Sequence, residues 1–174
     1  GYNALNHVTK VYTKPSKILD KLNSAALDVL RSESSPSHLQ DGMDLVMIAV
    51  DMEKMELQFS GANNPLYIVR EGELHELKSD KFAIASFEPD SKFYSEKTFA
   101  LQTGDTIFAS TDGFVDQFGG PAQTKFKSLN LKKLLIEISP KPMAEQKLIL
   151  ETTFNNWKGK LDQIDDIIFI GIKI

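Results

Sequence analysis

Two aspartates stand at positions where a carboxylate could do chemistry. Asp112 comes just after an apolar run that ends near Ser110, and Asp165 comes just before the apolar run at residues 167–172. Oxygens held at the junction of a buried strand and a loop suit a hard divalent cation such as Mg²⁺ or Mn²⁺. Gly113 permits a close backbone approach or a positive φ beside Asp112. The same residues also fit an ordinary turn and a solvated strand start, and on residue chemistry alone that explanation is the commoner one.

Other side chains that usually do chemistry are absent or scattered. The chain has no cysteine, which excludes disulfides, thiolate zinc sites and cysteine nucleophiles and suits a reducing cytosol. His7, His38 and His75 share no metal-ligand spacing, and we expect them to be surface or packing residues. No glycine-rich phosphate loop or dinucleotide fingerprint is present, so no nucleotide cofactor is indicated. Any metal must therefore bind oxygen or histidine ligands.

Length and charge narrow the class of protein. The 174 residues, 41% hydrophobic and 25% charged, are typical of one globular domain. A formal charge of −4 disfavours nucleic-acid binding. No apolar run approaches the ~20 residues of a membrane span, and the first residues lack the order of a secretory signal. We therefore predict a cytoplasmic protein with no nucleic-acid partner and no direct membrane contact from this segment.

The hydrophobic pattern predicts an α+β fold with antiparallel sheets and helices on the outer faces. Strand patterns are grouped in the middle of the chain, and helical patterns flank them. The first pattern, around Leu5, Val8 and Tyr12, is typical of a helix already under way. The predicted elements are a helix from Pro15 to near Arg31, a polar loop at 32–40, strands at 45–50, 55–59, 66–70, 74–77, 93–101 and 106–109, two helices around 131–138 and 143–157, and a central strand at 167–172.

Four separated motifs resemble, in order, those of the SpoIIE-like serine phosphatases of the metal-dependent protein phosphatase superfamily. They are Asp41-Gly42-Met43-Asp44, the run from Gly61 to Tyr67, the run from Ser110 to Gly120, and Gln163-Ile164-Asp165-Asp166. The resemblance covers the whole chain and implies a four-layer α-β-β-α sandwich. It also implies a dinuclear Mn²⁺ or Mg²⁺ centre with Asp112 and Asp165 among its ligands.

The resemblance further implies hydrolysis of phosphoserine on a regulatory protein, often an anti-anti-sigma type regulator, by a metal-activated water. It implies an upstream sensor or signalling module in the parent chain. The family's two earlier metal-binding segments, Gly-Asp-aromatic-x-Asp and Asp-x-x-Gly-His-Gly, match no residue here. We therefore expect residues 1–174 to be a single, N-terminally incomplete phosphatase domain that lacks core strands and has little activity alone. The alternative is a non-catalytic regulatory module on a phosphatase scaffold.

One motif departs from the family pattern. Ala83-Ile84-Ala85 stands where the family usually has Pro-Ile-Gly, which changes the allowed backbone near the site.

We also expect Trp157 to pack in the core and Asn63-Asn64-Pro65 to form a structural turn. Asp116 and Asp166 could orient a ligand or be turn carboxylates. The basic residues Lys125, Lys127, Lys132 and Lys133 form either a solvated face or a dock for an acidic or phosphorylated protein.

Overall fold

The computed structural model describes residues 13–33, 42–86 and 91–174. The helix predicted around Leu5, Val8 and Tyr12 lies outside the described residues, as do His7, His38, Asp41 and most of the predicted loop at 32–40. By its contacts the chain divides into two compact units. The first unit contains residues 1–66 and 77–102, and the second contains residues 67–76 and 103–174. That residues 1–174 form one incomplete domain stays a prediction.

The first unit packs a helix on an antiparallel sheet. Pro15 begins the helix at the position where its missing N–H costs no hydrogen bond. The spacing of Leu19, Leu22 and Leu27 gives this helix a buried face, which packs with Ala62, Ile84, Ala85 and Tyr94. The elements are α1 (Pro15–Glu33), β1 (Leu45–Asp51), β2 (Glu56–Ala62) and β5 (Lys97–Ala100), with the strands in the order β1-β2-β5.

The second unit is built on a sheet whose strand β3 begins at the boundary between the units. Its four strands lie in the order β4-β3-β6-β9, and β6 and β9 run antiparallel with Ser110 opposite Phe169. Its elements are β3 (Leu66–Arg70), β4 (Glu73–Leu77), β6 (Thr106–Ser110), α2 (Gly113–Asp116), β7 (Phe118–Gly119), β8 (Thr124–Lys125), α3 (Ser128–Ile138), α4 (Met143–Lys158) and β9 (Phe169–Lys173).

The core of the second unit joins this sheet to its helices. Aromatic residues meet at its centre, where the Phe114 ring lies 5.1 Å from Phe126 and 5.3 Å from Phe154. Apolar positions of α3 and α4 complete it. The buried members are Tyr67, Val69, Phe108, Phe114, Phe126, Leu131, Leu135, Ile138, Leu150 and Phe154.

The predicted α+β class with antiparallel sheets is confirmed, and two strand predictions are corrected. The stretch 93–101 forms a strand at Lys97–Ala100 alone. The final strand is terminal in the sheet of described strands rather than central. Phe169 at its start packs on the core, whereas Ile170 within it is 53% exposed, and Ile168 just before it is 61% exposed. Within the described part of the chain, no helix is both long and apolar enough to cross a bilayer.

Candidate metal centre

The two predicted site aspartates lie at the same end of the second unit. Asp112 follows β6 and immediately precedes α2, and Asp165 lies in the segment that leads into β9. Because Ser110 at the end of β6 pairs with Phe169 at the start of β9, residues just after β6 meet residues just before β9. The structure therefore brings together two loops that are far apart in sequence.

Gly113 sets how closely the two loops approach. A Cβ built on Gly113 would stand 2.7 Å from the carbonyl oxygen of Asp166 and 3.3 Å from the Cβ of Asp165. The first distance is shorter than real Cβ contacts, and the obstacle is backbone, which cannot rotate away. Since Gly113 is not among the glycines with positive φ, close approach is the reason that glycine fits here.

Thr111 fastens the same two loops by hydrogen bonds. Its hydroxyl donates to the carbonyl of Asp166 at 3.0 Å and accepts from the N–H of Ile168 at 3.1 Å. Its own N–H donates to the carbonyl of Ile168 at 3.1 Å. Three hydrogen bonds from one residue thus hold the segment around Asp165 against the end of β6.

The carboxyl groups themselves face solvent. Asp112, Asp165 and Asp166 are all exposed, and the Asp112 side chain does not cap α2. Oδ1 of Asp165 accepts the N–H of Asp166 at 2.7 Å, and the Asp165 carbonyl accepts a hydrogen bond from Gln163 Nε2 at 2.8 Å. The Asp165 carboxylate is therefore oriented by its own loop.

Asp116 and Asp166 contribute in different ways. Asp116 Oδ2 forms an ion pair with Lys125 Nζ at 2.9 Å, so a basic residue of the following hairpin balances its charge. Asp166 contributes its backbone, because its carbonyl lies against Gly113 and Thr111.

The side chains at this site are of the chemical type that binds a hard divalent cation. Asp112 and Asp165 offer carboxylate oxygens, and Mg²⁺ is commonly held by one or two carboxylates together with water and substrate phosphates. Residues 13–33, 42–86 and 91–174 contain no group of three or more His, Cys, Asp or Glu side chains placed to hold a metal ion. A metal site at Asp112 and Asp165 would therefore have a pair of carboxylates from the described residues rather than a complete cage.

Sequence reasoning missed Gln117, which joins the two site loops from inside the unit. Its side chain is fully buried, although glutamine is usually exposed. It hydrogen-bonds to the backbone of Asp162 and Ile164, just before Asp165. Its position among turn-forming residues gave no sequence signal of burial.

The remaining candidates have structural partners. Trp157 packs edge-to-face on Phe126, as expected for a core residue. Of the four basic residues proposed as a dock, Lys125 pairs with Asp116 and Lys132 pairs with Glu76 at 2.9 Å. Half of that cluster is therefore already neutralised within the chain.

The two motif positions in the first unit both adopt left-handed backbone. Asn63 has φ +61, and its Nδ2 donates to Asp44 Oδ1 at 2.7 Å, which fits the predicted structural turn. Ala85, which stands where the family usually has glycine, has φ +64. The N–H of Ala85 donates to the buried Asn23 Oδ1 at 2.7 Å. The backbone in this motif has thus kept a conformation suited to glycine.

Known proteins resemble this chain over almost its whole length. The family model described as Stage II sporulation protein E (SpoIIE) matches residues 2–174. A search of curated proteins found no significant match.

Solved structures of phosphatase domains share the fold. The SiaA-PP2C domain of Pseudomonas aeruginosa is 28% identical with a TM-score of 0.86, and the match covers 99% of this chain and 66% of that chain. The PP2C phosphatase domain of the cell fate determinant SpoIIE from Bacillus subtilis, with a fragment of its regulatory domain, is 14% identical with a TM-score of 0.73. The match covers 99% of this chain and 48% of that chain. The catalytic domain of the serine/threonine phosphatase PstP, in complex with two manganese ions, is 16% identical with a TM-score of 0.63. The match covers 98% of this chain and 76% of that chain.

Proposed function

Because the chain belongs to the Stage II sporulation protein E family, we propose that the whole protein is a metal-dependent protein serine/threonine phosphatase. The chain spans 66% and 48% of the first two structures described above, so this activity is proposed for the whole protein. The observation that supports the proposal is the close approach of Gly113, which follows Asp112, to the backbone of Asp166 and the Cβ of Asp165. The proposed cofactor is Mn²⁺ or Mg²⁺, as a dinuclear centre in the intact domain.

In this proposal each residue of the site has a task that its contacts support. Asp112 and Asp165 hold the cation through carboxylate oxygens. Gly113 and Thr111 fix the distance between the two loops. A bound divalent cation supplies Lewis-acid chemistry, lowering the pKa of water and neutralising charge on phosphoryl oxygens. The proposed reaction is hydrolysis, in which water adds to phosphorus, the phosphorus–oxygen ester bond breaks, and the seryl oxygen leaves with a proton.

The proposed substrate is a phosphoserine protein of a regulatory pathway, and an anti-anti-sigma type regulator is the first to test. We also propose a sensor or signalling module elsewhere in the whole protein and a cytoplasmic location. The 174-residue chain alone is expected to have little activity, because its described residues contain no group of three or more His, Cys, Asp or Glu side chains placed to hold a metal ion.

Phosphate release tests the proposal directly. The whole protein is incubated with a phosphoserine protein and Mn²⁺, with and without a chelator, alongside Asp112→Asn and Asp165→Asn. Asp162→Asn is the matched control, since it makes the same charge change in the same exposed segment. We expect both site variants to lose orders of magnitude in turnover and the control to keep wild-type turnover. Absence of turnover in the wild type would favour the non-catalytic regulatory module instead.

A further inference from the structure

We propose that Gln117 is a positioning residue for this centre, whose buried amide fixes where Asp165 stands relative to Asp112. The inference rests on the function proposed above and assigns a task to a residue that carries no charge. It concerns the segment 162–166, which contains Asp165 and lies wholly at the surface.

The Gln117 side chain reaches this segment with both ends of its amide. Nε2 donates to the carbonyl of Asp162 at 2.9 Å and to the carbonyl of Phe118 at 3.0 Å. Oε1 accepts the N–H of Ile164 at 3.3 Å. One buried side chain therefore holds the backbone at two points just before Asp165.

The other side of Gln117 is anchored in the core. Its backbone carbonyl accepts hydrogen bonds from Trp157 Nε1 and from the N–H of Phe126, both at 3.0 Å. The Trp157 and Phe126 rings pack edge-to-face 5.3 Å apart. Gln117 thus links the packed core of the second unit to a segment whose own side chains are exposed.

Backbone hydrogen bonds must order this segment, because its side chains bury little surface. Ile164, its one large apolar residue, is 53% exposed. Gln117 holds the segment before Asp165, and Thr111 holds it after Asp165, at Asp166 and Ile168. The metal-binding carboxylate therefore stands between two attachment points, and loss of either one would release it.

The test replaces the amide without changing the volume of the core. Gln117→Met keeps a side chain of similar length and removes all three hydrogen bonds. Gln146→Met is the matched control, because Gln146 is also buried, lies in the same unit, and donates to the carbonyls of Ser139 and Lys141. Both variants are made in the whole protein.

Two readouts separate positioning from general stability. The first is hydrogen exchange of the Asp166 and Ile168 amides, which Gln117 does not contact, and the second is Mn²⁺ affinity by calorimetry. For Gln117→Met we expect exchange at least ~10-fold faster and Mn²⁺ affinity ~10–100-fold weaker, the usual effect of losing a group that orients a metal ligand. We expect Gln146→Met to match the wild type in both.

Several results would overturn the inference. Unchanged exchange in Gln117→Met, unchanged Mn²⁺ affinity, or equal effects from both variants would each reduce Gln117 to a packing residue. Gln117→Glu keeps an acceptor for the N–H of Ile164, so we expect this variant to show intermediate exchange even if Gln117→Met folds poorly. Exchange as slow as in the wild type would contradict the inference. If the wild type bound no Mn²⁺, the proposed function would fail, and the exchange measurement would still decide whether Gln117 orders the segment.

Discussion

Gly113 and Asp166 are in backbone contact: a Cβ on Gly113 would stand 2.7 Å from the carbonyl oxygen of Asp166. These residues are neighbours of Asp112 and Asp165, so their contact limits how far apart the backbone segments that carry the two aspartates can lie. In this region the distance between two loops depends on the absence of one methyl group.

Adding that methyl group should disturb the proposed metal centre. In Gly113→Ala the Asp166 carbonyl must move, and Asp165 moves with it, so we expect Mn²⁺ affinity to fall at least ~10-fold. Gly171→Ala is the control, because a Cβ there meets the flexible end of Met143 at 2.8 Å and otherwise the Phe108 ring at 3.6 Å. Calorimetric titration of both variants checks this, and wild-type affinity in Gly113→Ala would show that the close contact does not set the site.

Arg70 and Asp105 form a partly buried ion pair that ties β3 to the start of β6. Arg70 Nε and Nη2 lie 2.8 and 2.7 Å from the two Asp105 oxygens, and the Asp105 side chain is fully buried. Hydrogen bonding to Asp105 raises the pKa of Arg70, so the arginine stays charged. Asp105→Asn should therefore lower the free energy of unfolding by roughly 3 kcal/mol, since it leaves a charge without its counter-ion.

Chemical denaturation measures that loss. The matched control is Glu151→Gln, which breaks the exposed pair with Lys147 and should change stability by less than ~1 kcal/mol. Equal effects from the two variants would mean that the partly buried pair contributes no more than a surface pair.

Stability should fall at high pH because of Tyr67. Burial, with a smaller effect of Glu76, raises the pKa of Tyr67 to about 12. Below pH ~10 the tyrosine is neutral in both folded and unfolded chains, and its contribution is fully present. Between pH ~10 and 12 the unfolded chain loses the proton first, so the free energy of unfolding drops by up to ~1.4 kcal/mol per pH unit.

Comparison with Tyr67→Phe isolates this effect. The variant should lose less stability than the wild type from pH 10 to 12, because phenylalanine cannot ionise. The remaining decline includes Tyr94, whose pKa burial also raises. Parallel pH profiles for the two proteins would contradict the assignment to Tyr67.

Substitution of Ala85 by glycine should stabilise the folded protein. Its φ of +64 is unfavourable for a residue with a Cβ, so Ala85→Gly should raise the free energy of unfolding by up to ~1 kcal/mol. Ala83→Gly makes the same chemical change where φ is not positive, and it should lower stability by ~0.5–1 kcal/mol. Denaturation midpoints with opposite shifts would confirm this, whereas shifts of the same sign would contradict it.

Sequence patterns predicted the elements best where local signals were strong. The helix at Pro15 and the two later helices follow from apolar spacing, and the hairpin at β1 and β2 follows from two apolar stretches separated by a short polar turn. The final strand shows the limit of this reasoning. Its continuous apolar run predicted a central strand, but strand order depends on distant partners that local periodicity does not encode.

At the candidate site, too, some residues could be predicted from local sequence and others could not. Residue type and position marked Asp112 and Asp165 as candidates, and the resemblance to a phosphatase family raised them above an ordinary turn and strand start. Gln117 and Thr111 could not be predicted, since their importance arises from hydrogen bonds to residues 45 to 57 positions away in sequence. Only the pairing of β6 with β9 brings those partners together.

Mn²⁺ binding to the whole protein tests the central claim most directly, that Asp112 and Asp165 hold one metal centre. Calorimetry on the wild type, Asp112→Asn, Asp165→Asn, the double variant and the Asp162→Asn control gives the affinities. We predict that each single site variant loses at least ~10-fold, that the double variant departs from the sum of the two losses because the residues share a partner, and that the control binds like the wild type. Wild-type affinity in either single variant, or two losses that simply add, would contradict the claim.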